Sequence, residues 1–512
     1  MAILDKVARL FGEPAVDLPM EVEPARVVAA VAAVAAKPAH KPTPRRGQRF
    51  GFDGAKRNRL NYDWTAGNTG ANTEIMGGLT TLRNRCSDLA RNNPHAVKAL
   101  ESLTSNLVSS GIRARWEDAR AQVLWDTWIE QCDVSSDLDY YGQQALAVRG
   151  WLERGDIIAR RRWRRLEDGL AVPMQIELLE GDFLDHDKNG TTPTGGRIVQ
   201  GIEYDPIGRR VAYWLFKSHP GETGVVGPGA ASSSPVPASD IAHLYRPTRP
   251  GQVRGIPWLA AVIQALRDLG GYEAAERNRK RSQAGLIGVV TPRDDVTYDE
   301  DGTDAVGAVV TDSDGNAVDE IEPNSWYVAR GGSGVTFTNP SSDAGYPDYM
   351  RTQLRAVGAG CLLPYEVLTG DLSQVNYSSI RLGLVEFQRL NKAMQTQVII
   401  PLLCRPQARW FLEAAIAAGT LRPGTAMPKW VLPEREEIDR ETAVKSATMA
   451  VRAGFSSRQD QVASQGGDAG EVLREIVADL EALDAAGITL DTDPRHPATG
   501  PLQPIATQEP TP

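Results

Sequence analysis

The sequence predicts an α+β chain of several domains, and three observations carry that prediction. Apolar residues recur at three- and four-residue steps from Ile75 to Ser110: Leu79, Leu82, Cys86, Leu89, then Ala96, Leu100, Leu103, Leu107. From Asp156 to Tyr245 the pattern changes to short β-rich or alternating runs divided by turn signals. After Pro364 a helical pattern returns, with Ile380, Leu384, Phe387, Met394 and Val398 on one face. With 512 residues, roughly two to four domains are expected. Hydrophobic residues at 41 % and charged residues at 24 % are ordinary for a soluble globular protein. The net charge of −9 excludes a protein that coats nucleic acid, which needs a basic excess. It is compatible with a protein past which nucleic acid slides.

Residues 1–60 read as a flexible tail. Met1–Phe11 has an amphipathic pattern, and Lys41–Arg59 is a basic arm. Arg91-Asn92-Asn93-Pro94 splits the first helical region and restarts it with proline in the first turn, and Gly111 is the expected C-cap. Trp116, Trp125, Trp128 and Trp151 are core candidates. Strands are expected at 157–159, 174–179, 199–202, 210–215 and 241–245, with turns at Asp205–Gly208 and His219–Gly221 and a loop over 224–239. The five arginines between Arg160 and Arg165 fall on both faces of a strand, so some of them must meet carboxylates. A helix of about 28 residues is expected from Pro257 to Ala284, with Gly270-Gly271 marking a bend. Short strands follow at 286–291, 305–311 and 326–328, then a helix over 343–360 anchored by Tyr349, Leu354 and Val357. The last long helix is expected to break at Pro401 and Pro406. Ser456 or Ser457 caps a C-terminal helix through Ala463, and the proline-rich end after Leu490 reads as disordered.

Catalytic and metal motifs were sought and few candidates remain. No phosphate-cradling G-x-x-x-x-G-K-[ST] loop occurs. Cys86, Cys132, Cys361 and Cys404 lack metal-ligand spacing and read as buried reduced thiols. The six histidines are scattered, and His186-Asp187 reads as a solvated turn. The acidic cluster Asp294–Asp314 misses the calcium-loop spacing. No run reaches the eighteen apolar residues of a membrane span, and Val27–Ala36 does not read as a secretory signal. No cofactor is expected.

The stretch from Leu363 to Pro401 is the most distinctive. Between two helical segments lie Gly370, Asp371, Ser373, Gln374, Asn376, Tyr377, Ser378 and Ser379, a polar set with no catalytic arrangement. Leu363, Pro364, Tyr365, Glu366 and Leu368, then Tyr377-Ser378-Ser379, then Arg381, Glu386 and Phe387 resemble the portal proteins of lambda-type tailed phages. So do Arg91–Pro94, Val199–Asp205 with Gly208 and Ala212–Trp214, the Arg254-Gly255-x-Pro257 turn, and Gly454–Arg458 followed by Gly466-Gly467-Asp468 and Glu471–Glu475. The resemblance runs over about residues 70–485 in family order.

The resemblance implies a portal fold: a mixed α/β wing over 61–250, a first stem helix over 251–285, a small β-containing clip over 286–342 and a second stem helix over 343–362. A tunnel-loop region over 363–380, a long kinked helix with wing return over 381–430 and a helical crown over 431–488 complete it, before a tail at 489–512. It also implies a ring, usually of twelve copies, at one capsid vertex in the virion, assembled in the host cytoplasm. Double-stranded DNA would pass through it. Terminase, major capsid and scaffold proteins, and head-completion adaptors would be its partners. The loop residues Asp371, Ser373, Gln374, Asn376, Tyr377, Ser378 and Ser379 would face DNA, and Arg277, Arg279, Lys280 and Arg281 would form a basic cluster low in the stem. Two other readings stand beside it: a nuclease carried in a phage head, which needs a metal-binding carboxylate or histidine cluster, and a tail or baseplate ring component.

Overall fold

The computed structural model describes residues 67–222, 232–284, 288–291, 326–328, 334–337, 345–373, 377–433, 439–465 and 469–488, with 467, 490, 493 and 495. The chain divides into two units, Met1–Asn68 and Thr69–Pro512, and the described residues beyond Asn68 all belong to the second. The basic arm, the 305–311 strand and the acidic cluster at 294–314 lie outside the described residues.

The first two helices among the described residues are α1 (Ala71–Asn92) and α2 (Pro94–Val108). The break between them follows the residues: the Asn93 side chain accepts from the His95 and Ala96 amides at 3.0 Å, and Pro94 opens α2 where a missing N–H does no harm. The end of α2 differs from expectation. Ser109, not Gly111, is the C-cap, with a positive φ of 46° and ψ of −121°. Gly111, at φ 101°, serves a close approach instead, because a Cβ there would sit 2.2 Å from the Tyr141 ring.

A short strand β1 (Arg113–Arg115) leads to α3 (Ala119–Trp128), capped by Asp118, and α4 (Tyr140–Arg154), capped by Asp139. Trp116, Trp125, Trp128 and Trp151 are buried as expected. Trp125 packs on Trp128, Tyr140 and Phe411 at centroid distances of 5.0–5.1 Å, so residues far apart in sequence close one aromatic core. All four cysteines are free and buried, and burial pushes the Cys86, Cys361 and Cys404 thiols up to about 12.

Two antiparallel sheets follow. In the first, β2 (Asp156–Trp163) lies between β3 (Met174–Glu180) and β9 (Ile241–Tyr245). The second has the order β4 (Gly190–Thr191), β5 (Arg197–Val199), β6 (Ile202–Tyr204), β7 (Arg210–Phe216), β8 (Ser233–Pro237). The strand expected over 199–202 is two strands, parted by Gln200 and Gly201 at φ 48° and 80°. Part of the expected loop at 224–239 is strand β8. Its Pro235 and Pro237 are tolerated because β8 is an edge. The arginine run meets carboxylates as expected: Arg161 donates to Asp240 and Glu413 at 2.5 Å, and Arg162 to Glu177 at 3.1 Å.

The joint between helices, sheet and the following segment is ionic and dry. Asp156 opens β2, and its side chain is fully buried. One of its oxygens accepts from the Arg83 Nη2 of α1. The other accepts from the Arg254 Nε at 2.7 Å and the Gly255 amide at 3.3 Å, and lies 3.3 Å from the His243 Nε2 of β9. Arg83 also donates to the Arg154 carbonyl at 2.9 Å and Arg254 to the Gly181 carbonyl at 2.6 Å. Burial alone would raise the Asp156 carboxyl, but Arg254 and Arg83 outweigh it and hold the group well below the usual carboxylate range. Burial lowers His243 to about 4, against the pull of Asp156, so the ring is neutral at pH 7. Beside this centre two backbones touch. A Cβ on Gly255 would lie 1.7 Å from the Gly155 carbonyl oxygen.

Three measurements on the purified chain follow. Asp156→Ala leaves two guanidiniums buried without their carboxylate, and should cost about 3–5 kcal/mol in urea unfolding. Gly255→Ala should cost about 2 kcal/mol or more, because the Gly155 carbonyl cannot retreat without moving the end of α4. For His243 the folded pKa lies below the unfolded 6.5, so its contribution is complete above pH 6.5 and drains away as the pH falls toward 4. Stability should therefore drop over that window by up to about 1.4 kcal/mol per pH unit from this group, and His243→Gln should flatten the slope.

Candidate functional site: the paired helices and the loop behind them

From Arg254 the chain enters a one-turn 3-10 helix, Trp258–Ala261, and then α5 (Ile263–Ala284). The α-helix has 22 residues rather than the expected 28 or so, because Val262, at φ −119° and ψ 1°, interrupts the winding. Gly270-Gly271 does not end it. Ile263, Leu266 and Leu269 bury its first half, and past Tyr272 mostly polar side chains follow. A second helix, α6 (Tyr346–Cys361), returns beside it. Tyr272 stacks on Tyr346 at 5.8 Å and meets Tyr349 at 4.6 Å, and the Trp258 Nε1 donates to the Cys361 carbonyl at 2.7 Å. Leu354 and Val357 anchor α6 as expected. Tyr349 is 45 % exposed and acts as a surface stack.

The basic cluster sits at the C-terminal end of α5, where the helix dipole favours cations. Arg277 pairs with Glu273 at 3.8 Å and Arg279 with Glu276 at 2.7 Å, while Lys280 and Arg281 are exposed. Two of the four charges are thus engaged one turn back on the same helix. Beyond α5, β10 (Gly288–Thr291) lies between β11 (Trp326–Val328), parallel to it, and β12 (Gly334–Phe337), antiparallel. This small sheet includes β12, which the strand pattern had not marked.

The described residues of the polar loop are shaped by contacts that its composition does not show. α6 ends on Leu362 at φ 59°, Leu363 is buried, and Pro364 opens a short helix α7 (Tyr365–Thr369) that the sequence had not revealed. Gly370, at φ 73°, ends it. The Asp371 carboxylate then accepts from the Ser373 Oγ at 2.6 Å, the Ser373 amide at 3.0 Å and the Tyr365 Oη at 3.1 Å. These bonds, Ser373 first, hold its carboxyl below the usual range. Asp371 and Ser373 therefore shape the turn as well as its surface. Gln374 and Asn376 lie outside the described residues.

Tyr377, Ser378 and Ser379 are the first turn of α8 (Tyr377–Met394), not loop. Serine is tolerated there because first-turn amides have no intrahelical partner. Phe387, Met394 and Val398 are buried on the expected face, and Ile380 and Leu384 are half-buried. The helix does not break at Pro401. It passes through a π-helical segment, Gln395–Cys404, into α9 (Arg405–Ala417), with Pro406 in its first turn. The wider winding shifts the i−4 carbonyl that a proline ring would strike in an α-helix. The Gln395 Nε2 donates to the Leu107 carbonyl at 2.9 Å and fixes this segment to the end of α2.

Among the described residues, Glu180, Asp182 and His219 form one group with metal-ligand spacing. Guanidiniums already occupy its carboxylates: Arg154 donates to Asp182 and lies 3.4 Å from Glu180, and Arg83 lies 3.4 Å from Asp182. His186 lies 3.4 Å from Asp187, whose side chain is 87 % exposed.

Residues 57–395 match the family described as phage portal protein, lambda family, a range that runs from before α1 to the start of the π-helical segment. The chain is 26 % identical over 475 residues to the probable portal protein of Halomonas phage phiHAP-1, covering 85 % of this chain and 87 % of that relative. It is 21 % identical over 491 residues to portal protein B of Escherichia phage lambda, covering 86 % and 89 %. A chain from the neck of an empty gene transfer agent particle is 13 % identical with a TM-score of 0.40, covering 80 % of this chain and 98 % of that one. The chain belongs to the lambda family of phage portal proteins.

Proposed function

We propose that twelve copies form a ring at one vertex of a phage capsid and that duplex DNA moves through its bore. The observation that carries this reading is the family match, which runs through α5, α6, the loop and α8 in one stretch. In this reading α1 to β9 form the wing, α5 and α6 the stem, β10–β12 the clip and the helices after β13 (Lys429–Val431) the crown. The clip would dock terminase during packaging and head-completion proteins afterwards. Capsid and scaffold proteins would hold the wing, and the chain itself would do no chemistry on DNA.

Physical chemistry supports a sliding contact. A charge of −9 per copy, repeated around a ring, repels phosphates over the surface as a whole and offers duplex DNA no deep minimum. In the described half of the loop Asp371 already accepts three hydrogen bonds from Ser373 and Tyr365. What remains for the duplex is short, polar and blind to sequence.

Electron microscopy of the purified chain should show symmetric rings with an axial hole. A population of compact monomers at micromolar concentration would overturn the reading. In a packaging reaction, Ser373→Lys, Gln374→Lys and Asn376→Lys together should slow DNA entry by roughly tenfold at low salt, with the effect fading as salt rises. Unchanged packaging and retention would mean that the loop does not touch DNA.

A further inference from the structure

The end of the chain carries three helices, α10 (Arg440–Arg452), α11 (Arg458–Ser464) and α12 (Ala469–Ala486), and not one of their residues is buried. Their apolar side chains are nonetheless ordered in stripes. Val444 and Val451, seven residues apart, are 61 % and 37 % exposed on one side of α10. On α12, Leu473 and Val477 are 50 % and 47 % exposed, and Leu480 continues their face. Phe455 is 88 % exposed on the turn after α10, held there by Gly454 at φ 74° and by its own amide donating to the Ala450 carbonyl at 3.0 Å. Amphipathic helices draw most of their stability from a packed apolar face. Here the chain alone packs little of it: α12 rests on α11, where a Cβ on Gly467 would meet Val462 at 3.1 Å and Val472 at 3.8 Å, and the Leu473–Val477 stripe stays open.

The charges beside these stripes differ in sign between the two helices. α10 has three basic residues and one acidic, a net +2. α12 has five acidic residues and one basic, a net −4. The signs flank the stripes: Lys445 and Arg452 are each the next residue after Val444 and Val451, and Glu475 and Asp479 precede Ile476 and Leu480. Lys445 already pairs with Glu441 at 2.5 Å, but an exposed i,i+4 pair contributes little and leaves the helix basic. Two opposite, stripe-bearing surfaces on one chain are complementary between copies in the head-to-tail sense. A twofold pairing of like helices would instead place like charges together. Head-to-tail contacts repeated by one rotation close a ring.

We propose that α10 of one copy packs against α12 of the next, with Phe455 as the aromatic anchor of that contact. This rests on the ring reading above and adds to it which helices meet and in which direction. An aromatic side chain that is free in the single chain and buried between copies has the character of an interface anchor.

The test mixes two full-length variants, Lys445→Cys and Glu475→Cys, before ring assembly, and treats the assembled protein with a bismaleimide. Covalent dimers are expected from the mixture and not from either variant alone or from the parent, whose four cysteines are buried. Adding Phe455→Asp to both should abolish the dimer band while far-ultraviolet circular dichroism stays unchanged. Mass photometry of the same samples separates the two claims. Rings without dimers overturn this contact and leave the ring reading standing. Dimers that survive Phe455→Asp overturn the anchor role. Absence of rings in the parent overturns the ring reading itself, and this contact with it.

Discussion

The carboxylate of Asp156 is the point on which the described unit hangs. It has no access to water and is held between two guanidiniums that arrive from opposite directions, Arg83 from the first helix and Arg254 from the entry to α5. Among the described residues Arg254 forms no other ion pair and Arg83 keeps only Asp182, at 3.4 Å, so removing the acid leaves both buried guanidiniums poorly compensated. The neutral ring of His243 fills the remaining side and ties in β9. Helices, sheet and the emerging α5 therefore share one charged centre, and the Gly155–Gly255 contact beside it permits no added atom. An apolar contact can be adjusted by rotamer changes. A buried ion pair at these distances has one good geometry and a high penalty for others. It fixes how α5 leaves the sheet and helices that hold its entry.

Around this centre the molecule is built of stiff parts with a few soft surfaces. The tryptophan and phenylalanine cluster closes the core between the early helices and α9. The arginines of β2 are neutralised within the chain and do not offer a phosphate-binding strip. Among the described residues, the polar loop after α7, the basic end of α5 and the C-terminal helices present exposed side chains. None is a catalytic centre in its geometry, and the group formed by Glu180, Asp182 and His219 is already threaded by guanidiniums.

Much of the fold was legible in the sequence because local rules act alone there. Asn93-Pro94 caps and restarts a helix wherever it stands, and Ser457 with Asp460 forms a capping box as the Ser-x-x-Asp spacing allows. The alternation in β2 required carboxylates opposite its arginines, and Glu177 and Asp240 supply them. The readings that failed did so where tertiary context overrides a local signal. Pro401 ordinarily stops a helix, but buried neighbours on both sides and the Gln395 anchor hold the chain helical in a wider winding. Pro235 and Pro237 looked like loop, yet an edge position asks nothing of their missing amides. The ionic centre itself was invisible: Arg83, Asp156, His243 and Arg254 are separated by up to 171 positions, and no spacing in the chain marks them as neighbours. The loop was found by its composition, while the hydrogen bonds that shape its first turn were not.

The last consequence concerns α8. Its eighteen residues make a rod of about 27 Å. Phe387, Met394 and the π-helical segment hold its C-terminal half, while Leu382 near the other end is 72 % exposed. Mechanically this is a cantilever. A tilt of about 5° at Phe387 swings the tip ten residues away by roughly 1 Å, without breaking a hydrogen bond along the shaft. In such a leaf spring the compliance sits in the root and not along the blade.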